Sequence, residues 1–349
     1  MTTCYKALMG LALAAALGLA GCGGSDEPPT EVVLVTHDAF AISPAVKKAF
    51  EDESGLELKI LKAGDAGEVV TRALLTAGNP EGDVLFGVDN NLLQRALDGD
   101  VFEAYDPPAL ADVDPALILD PEHRATPIDR GDVCLNYDKV WFASHGLAPP
   151  ETFADLTLPR YRGLLVVQNP ATSTPGLAFM LATIAKFGDS WQGYWRKLRA
   201  NDVLVVDGWE DAYYARLSGA AGSKGKRPVV VSYASSPPAE VIFRDPRPTD
   251  APTGVVASTC FRQIELAGVL RGARNPEGAR KLVDFMLSKR FQEDIPLQMF
   301  VFPARTDAAL PPEFERFAIV PKHPLELPPA EIELNRERWV DEWTDIVVR

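Results

Sequence analysis

The sequence predicts an α/β protein of two lobes, each built on a mostly parallel sheet flanked by helices. Three observations carry this. Short apolar runs rich in β-branched residues alternate with amphipathic helical stretches, the pattern of a parallel sheet crossed by helices. The 349 residues suffice for two hydrophobic cores. Late in the chain a long apolar run, Val255 to Leu270, reads as a strand returning to the first lobe, with room for a turn near Gly268.

The chain opens on a leader. Lys6 precedes an apolar run from Ala7 to Leu19, too short for a bilayer span of about 20 residues, and Leu19-Ala20-Gly21-Cys22 follows. This is the form of a secretory signal. Its end resembles a bacterial lipobox, which implies cleavage before Cys22 and a lipid on that sulfur. Residues 1–21 are the expected signal and 22–31, polar and proline-rich, a tether.

The elements then follow in order. Val32 to Val35 is a strand. Ser43-Pro44 opens a helix with Val46, Ala49 and Phe50 on one face, and Gly55 stops it. Leu56 to Leu61 is a second strand. Asp65 and Glu68 have capping-box spacing for a helix running to Gly78. Asp83 to Gly87 is a third strand, and Asp89-Asn-Asn91 caps the next helix. Pro107-Pro108 opens an irregular stretch, after which Asp132 to Tyr137 is extended. Leu164 to Val167 is a strand, followed by helices from Pro175 to Phe187 and from Ser190 to Arg199, where Trp191 and Trp195 stand one turn apart as core residues. Val203 to Val206 and Val229 to Tyr233 are strands, with a helix from Glu210 to Leu217 between them. Pro237 to Thr253, proline-rich and polar, reads as surface. Asn275 caps a helix to Leu287, Phe291 to Ile295 is a helical tail, Phe300 to Pro303 is extended, and Pro329 starts a final helix anchored by Trp339 and Trp343. Lobe 1 is expected over 32–128 and 263–349, lobe 2 over 129–262.

Composition narrows the function. With 46% hydrophobic and 24% charged residues the chain is globular, and its formal charge of −14 argues against nucleic acid, whose phosphates need a basic face. An acidic surface suits a cationic ligand, though it also serves solubility. Cys4 leaves with the signal and Cys22 carries lipid, so Cys134 and Cys260 remain in an exported chain. Export favours a Cys134–Cys260 disulfide; two buried thiols or a catalytic thiol are the competing readings.

The stretch Asn169-Pro-Ala-Thr-Ser-Thr-Pro-Gly176 links a strand to a helix whose first turn holds Pro175, with Ser173 or Thr174 at the cap. Such a hydroxyl-rich helix N-terminus at a strand end is where α/β sheets bind small ligands. Alone it is an ordinary capped helix, but Asp207-Gly-Trp209 and Ser232-Tyr-Ala-Ser-Ser-Pro237 follow at similar strand ends.

These blocks, with Thr36-His-Asp-Ala-Phe40, Val88-Asp-Asn-Asn-Leu-Leu93 and Gly208-Trp-Glu-Asp-Ala-Tyr213, resemble the type 2 periplasmic solute-binding proteins, and more narrowly the thiamine-binding components of bacterial ABC importers. The resemblance spans roughly Val32 to Arg349. It implies two lobes joined by crossing strands, a monomer that binds thiamine or its phosphates between them, and delivery to a membrane permease with its ATPase subunit. It carries ligand contact to Asp65, Ser173, Thr174, Trp209, Tyr233, Ala234, Ser235 and Ser236, with His37, Asp38 and Phe300 completing the set. Three positions depart from the pattern: Phe300 stands where the family often has tryptophan, His37 where it can have tyrosine, and Ala66 where it can have glycine. Read without the resemblance, Asp65 is equally a helix cap, Ser235 and Ser236 are turn formers, and Phe300 is equally core.

The set also makes chemical sense. Thiamine's thiazolium cannot lose its charge on burial, so a site must neutralise it. Trp209 or Tyr233 faces supply roughly 0.5–2 kcal/mol each through cation–π contact, and Asp65 adds charge. Two rivals share the architecture: ferric-ion binding, suggested by Tyr213-Tyr214, and a thiamine-degrading enzyme, which needs a free cysteine nucleophile. The sequence carries no HExxH, P-loop or GxSxG motif, and neither metal nor cofactor is expected.

Overall fold

The computed structural model describes residues 29–349. The leader, the lipidation position Cys22 and most of the tether lie outside the described residues. Among those described, no helix is long and apolar enough to cross a membrane.

Ten strands form one sheet. They are β1 (Glu31–Thr36), β2 (Glu57–Lys62), β3 (Val84–Asp89), β4 (Phe102–Glu103), β5 (Thr126–Asp138), β6 (Leu165–Gln168), β7 (Leu204–Val206), β8 (Val229–Tyr233), β9 (Thr253–Leu270) and β10 (Phe302–Pro303). The order β2-β1-β3-β9-β5-β8-β6-β7 divides it into two halves, with β4 added on β9 and β10 on β5. At one end β2, β1 and β3 run parallel; at the other β7, β6 and β8 do. Antiparallel β9 closes the first set and antiparallel β5 the second. The two long strands also pair with each other, from Thr126↔Ala267 to Asp138↔Thr253, so they run through both lobes. The expected lobe boundaries at 128/129 and 262/263 fall inside them. Their register slips between Val133 and Leu135, where Cys134 and Cys260 meet in a disulfide.

The helices are α1 (Pro44–Ser54), α2 (Ala66–Leu75), α3 (Leu93–Asp98), α4 (Lys139–Ser144), α5 (Thr174–Phe187), α6 (Trp191–Ala200), α7 (Ala239–Ile242), α8 (Pro276–Met286), α9 (Lys289–Gln298), α10 (Pro312–Phe317) and α11 (Pro329–Val347). Local chemistry sets their ends. The Ser43 hydroxyl accepts from the Val46 amide to start α1, and Gly55, at φ 72°, ends it in the left-handed conformation that glycine takes without strain. Asp65 and Glu68 form a complete capping box on α2. α11 ties the halves together at the back: Trp343 meets Trp195 of α6 edge-on at 5.3 Å, while Glu337 pairs with Arg95 of α3 at 2.8 Å.

Three expectations fail for identifiable reasons. Gly268 is not a turn but a strand residue, and a Cβ there would meet the Phe102 ring at 2.5 Å. The stretch after Pro237 is not all surface: Ser235 to Val241 is buried, because α7 brings Glu240 under the Tyr213 hydroxyl. Phe300 is not extended but sits at φ 57°. The short α4 and α10 were invisible to periodicity, being only about a turn and a half long at roughly 3.6 residues per turn.

Candidate functional site

A cavity of about 250 Å³ opens between the lobes. It gathers the loop after β1, the start of α2, the turn after β7, the end of β8, the middle of β9 and the segment after α9. His37, Asp38, Asp65, Thr174, Trp209, Tyr233 and Phe300 line it. Ser173, Ala234, Ser235 and Ser236 are brought to the same place but lie behind that lining, all buried. Ser236 accepts from the Tyr233 amide at 3.2 Å and its hydroxyl bonds that of Ser232 at 2.8 Å; the Ser232 hydroxyl in turn accepts from the Trp209 indole N–H at 3.0 Å. The serines thus orient the two aromatic rings from behind.

Asp65 stands on the seam. Its carboxylate accepts from the Ala66 amide at 2.7 Å, capping α2, and from the Trp209 amide of the opposite lobe at 3.0 Å. The nearby Ser173 hydroxyl and Thr174 amide favour the charged carboxylate. Burial outweighs these contacts and pushes the Asp65 pKa up to about 6. The lobes approach closely beside it: a Cβ on Gly67 would meet the Thr172 carbonyl oxygen at 2.6 Å.

The opposite wall is aromatic. Trp209 stacks on Tyr213 with centroids 5.0 Å apart and meets Tyr214 edge-on at 5.4 Å and Tyr233 at 6.2 Å. A π-type turn from Asp211 to Arg216 sets this cluster, a feature common at functional sites. Tyr213 is buried and donates to Glu240 at 2.8 Å, whereas Tyr214 lines the cavity. Phe300 does both things its sequence allowed: it lines the cavity and packs against Phe243 and Phe314.

Glu265 lines the cavity and belongs to a row of carboxylates that local sequence pattern does not reveal. Asp89 at the end of β3 is directly opposite Glu265 of β9, and Glu265 is directly opposite Asp129 of β5. Directly paired residues share a sheet face, so three carboxylates stand in one row. All are buried, at 0%, 7% and 0% exposure for Asp89, Glu265 and Asp129. Burial pushes Asp89 and Glu265 up to about 7; burial and then Glu265 push Asp129 well above the usual carboxylate range. His37 sits over the row with Nε2 3.5 Å from Glu265, its pKa lowered to about 4 by burial and then by Lys62, so it brings no charge at neutral pH. Among the described residues lining the cavity there is no lysine or arginine. The one available signal was Glu265 itself, a carboxylate inside an apolar strand.

The chain matches the family described as "Bacterial extracellular solute-binding protein" over residues 79–319. It is 31% identical to the thiamine-binding periplasmic protein of Salmonella typhimurium (strain LT2) over 91% of this chain and 94% of that one. A solved structure described as a periplasmic thiamin binding protein superimposes with a TM-score of 0.81 at 30% identity, covering 93% of this chain and 98% of that chain. Iron-bound HitA from Pseudomonas aeruginosa gives a TM-score of 0.69 at 19% identity, covering 91% of this chain and 99% of its own, a likeness of fold alone. With the family match spanning more than half of the sequence and the two-lobed sheet in place, this chain belongs to the bacterial extracellular solute-binding proteins.

Proposed function

We propose that the protein binds thiamine, or its phosphates, in the interlobe cavity and delivers it to an ABC permease with its ATPase subunit. In this reading it acts as a monomer, without catalysis, held at the membrane by a lipid on Cys22. The carrying observation is the pairing of carboxylates with aromatic faces in a cavity whose lining, among the described residues, has no basic side chain but His37, which burial keeps neutral. A permanent organic cation matches that field, and a flat aminopyrimidine matches the Trp209 and Tyr233 rings. The Thr174 hydroxyl and the start of α5 suit the hydroxyethyl tail or a phosphate on it. The names of the thiamine-binding relatives support the same ligand class.

The rivals fit the geometry less well. Tyr213 is committed to Glu240 and burial holds its phenol protonated, so of the adjacent pair Tyr213-Tyr214 only Tyr214 lines the cavity. The thiols that an enzymatic reading needs are joined as Cys134–Cys260. Calorimetric titration with thiamine and both phosphates tests the proposal; nanomolar binding, about −12 kcal/mol, is the expected scale. The absence of heat with all three ligands, or a red-purple colour with ferric ion, would overturn it.

Closure has its own test. Gly67→Ala places a methyl against the Thr172 backbone, so the lobes are held apart while α2 gains helix propensity. Thiamine affinity is expected to fall by about tenfold, near 1.4 kcal/mol, and the contraction on ligand addition seen by small-angle scattering to shrink, with folding unchanged.

A further inference from the structure

We infer that Glu265, held between Asp89 and Asp129 in one carboxylate row, gives up a proton to solvent when a permanent cation enters the cavity and so becomes, with Asp65, a counter-charge of the bound ligand. This rests on the thiamine reading and goes beyond it, because it assigns a role to three residues and adds a proton to the binding equilibrium.

The geometry comes first. Pairing across β3, β9 and β5 holds the three side chains abreast on one face. Asp89 has its own donors, accepting from the Asn91 amide at 3.0 Å, the Asn91 side chain at 2.9 Å and the Leu92 amide at 3.1 Å. Asp129 has none: both its oxygens are buried and, as carboxylate, unpartnered. Its neighbour is Glu265, and two adjacent buried carboxylates cannot both ionise. Asp129 therefore keeps a proton and donates it toward Glu265, which lines the cavity.

The surrounding charges do not supply a counter-ion. Asp65 approaches from α2, Tyr233 from β8 and neutral His37 from the end of β1, with Lys62 and Asp38 beyond it. Burial, and then the nearby acids Glu265, Asp65, Asp129 and Asp89, hold the Tyr233 phenol well above its usual range. Arg130, Asp132 and Arg262 alternate onto the other face of the same strands, where Arg262 pairs with Asp132 at 2.7 Å. On the row's own face the next position of β9 is Gln263, which donates to Thr174 at 3.1 Å.

In the empty cavity near neutral pH, Glu265 and Asp89 are partly protonated, since burial raises both to about 7. A thiazolium beside Glu265 favours its carboxylate, so its proton passes to the buffer while Asp129 keeps its own. The sign follows: protons compete with the ligand, and binding weakens as pH falls.

Calorimetry of the purified protein with thiamine, in buffers of different ionisation enthalpy, tests this. Release approaching one proton is expected near pH 6 and almost none near pH 8.5, with affinity falling by up to about tenfold per pH unit below about 7. A neutral thiophene isostere of thiamine should bind without releasing protons. Glu265→Gln should bind thiamine more weakly and lose most of the pH dependence; Asp129→Asn, which removes the proton-sharing partner but keeps Glu265, should retain release with a shifted midpoint. If thiamine fails to bind in every buffer, the functional reading falls. If it binds with a buffer-independent enthalpy and a flat pH profile, only the proton coupling falls, as it also does if Glu265→Gln releases the same number of protons as the parent.

Discussion

Trp209→Ala is expected to weaken thiamine binding by about a hundredfold or more, the largest loss from any single ring in the site. A cation–π contribution of roughly 1–2 kcal/mol in a desolvated cavity and the apolar area that an indole covers together supply about 3 kcal/mol. Trp209 is well placed for it. Tyr213 backs one face of the indole, Ser232 fixes its N–H and Asp65 fixes its amide. The ring is thus held before the ligand arrives, and little ordering entropy offsets its contact. It is half-buried and packs at the edge of a small cluster around Tyr213 and Leu217 rather than in the main core. The unfolding midpoint of the empty protein should therefore move by only a few degrees, near 1 kcal/mol. Trp209→Phe, which keeps a face but loses the Ser232 contact, should fall between the two. A Trp209→Ala protein that binds thiamine within about threefold of the parent, a difference below about 0.7 kcal/mol, would remove the aromatic wall from the proposed site.

How far the sequence disclosed this site follows from the range of each interaction. Asp65 and Glu68 are three residues apart, so their capping box was visible in the chain and is present in the fold. The long strand β9 was visible because 18 residues with few polar interruptions have little alternative. The carboxylate row was not visible, since it joins positions 89, 129 and 265 through strand register, which local pattern does not fix. Ser235 and Ser236 show the opposite limit. Their residue type suited a ligand, but the turn after β8 directs them inward, where Ser236 braces Tyr233. Composition alone marks the proline-rich stretch after Pro237 as surface, whereas α7 is buried there because Glu240 meets the Tyr213 hydroxyl.

Asp65→Asn is expected to separate binding from stability, moving them in opposite directions. The substitution keeps the size of the side chain and an oxygen able to cap α2, asparagine being as good an N-cap as aspartate. It removes the charge. In the proposed complex that charge would face an organic cation across a desolvated seam, so thiamine affinity should fall by about 30- to 100-fold, some 2–3 kcal/mol. In the empty protein the same charge is a burden. Burial raises the Asp65 pKa to about 6 from 3.8, so the folded state holds the proton more tightly than the unfolded chain. The sign follows from linkage: as pH rises from near 3.8 to near 6 the unfolded chain ionises first, and stability declines through that window. Asparagine escapes the decline. The empty variant should match the parent near pH 4 and exceed it by about 1–3 kcal/mol above pH 6.5, measured as denaturant midpoints at the two pH values. Saturating thiamine should reverse the order at neutral pH, because the parent gains more from its ligand than the variant does. A variant less stable than the parent at every pH would mean that Asp65 serves as a structural cap, and its charge would then have no part in holding the cation.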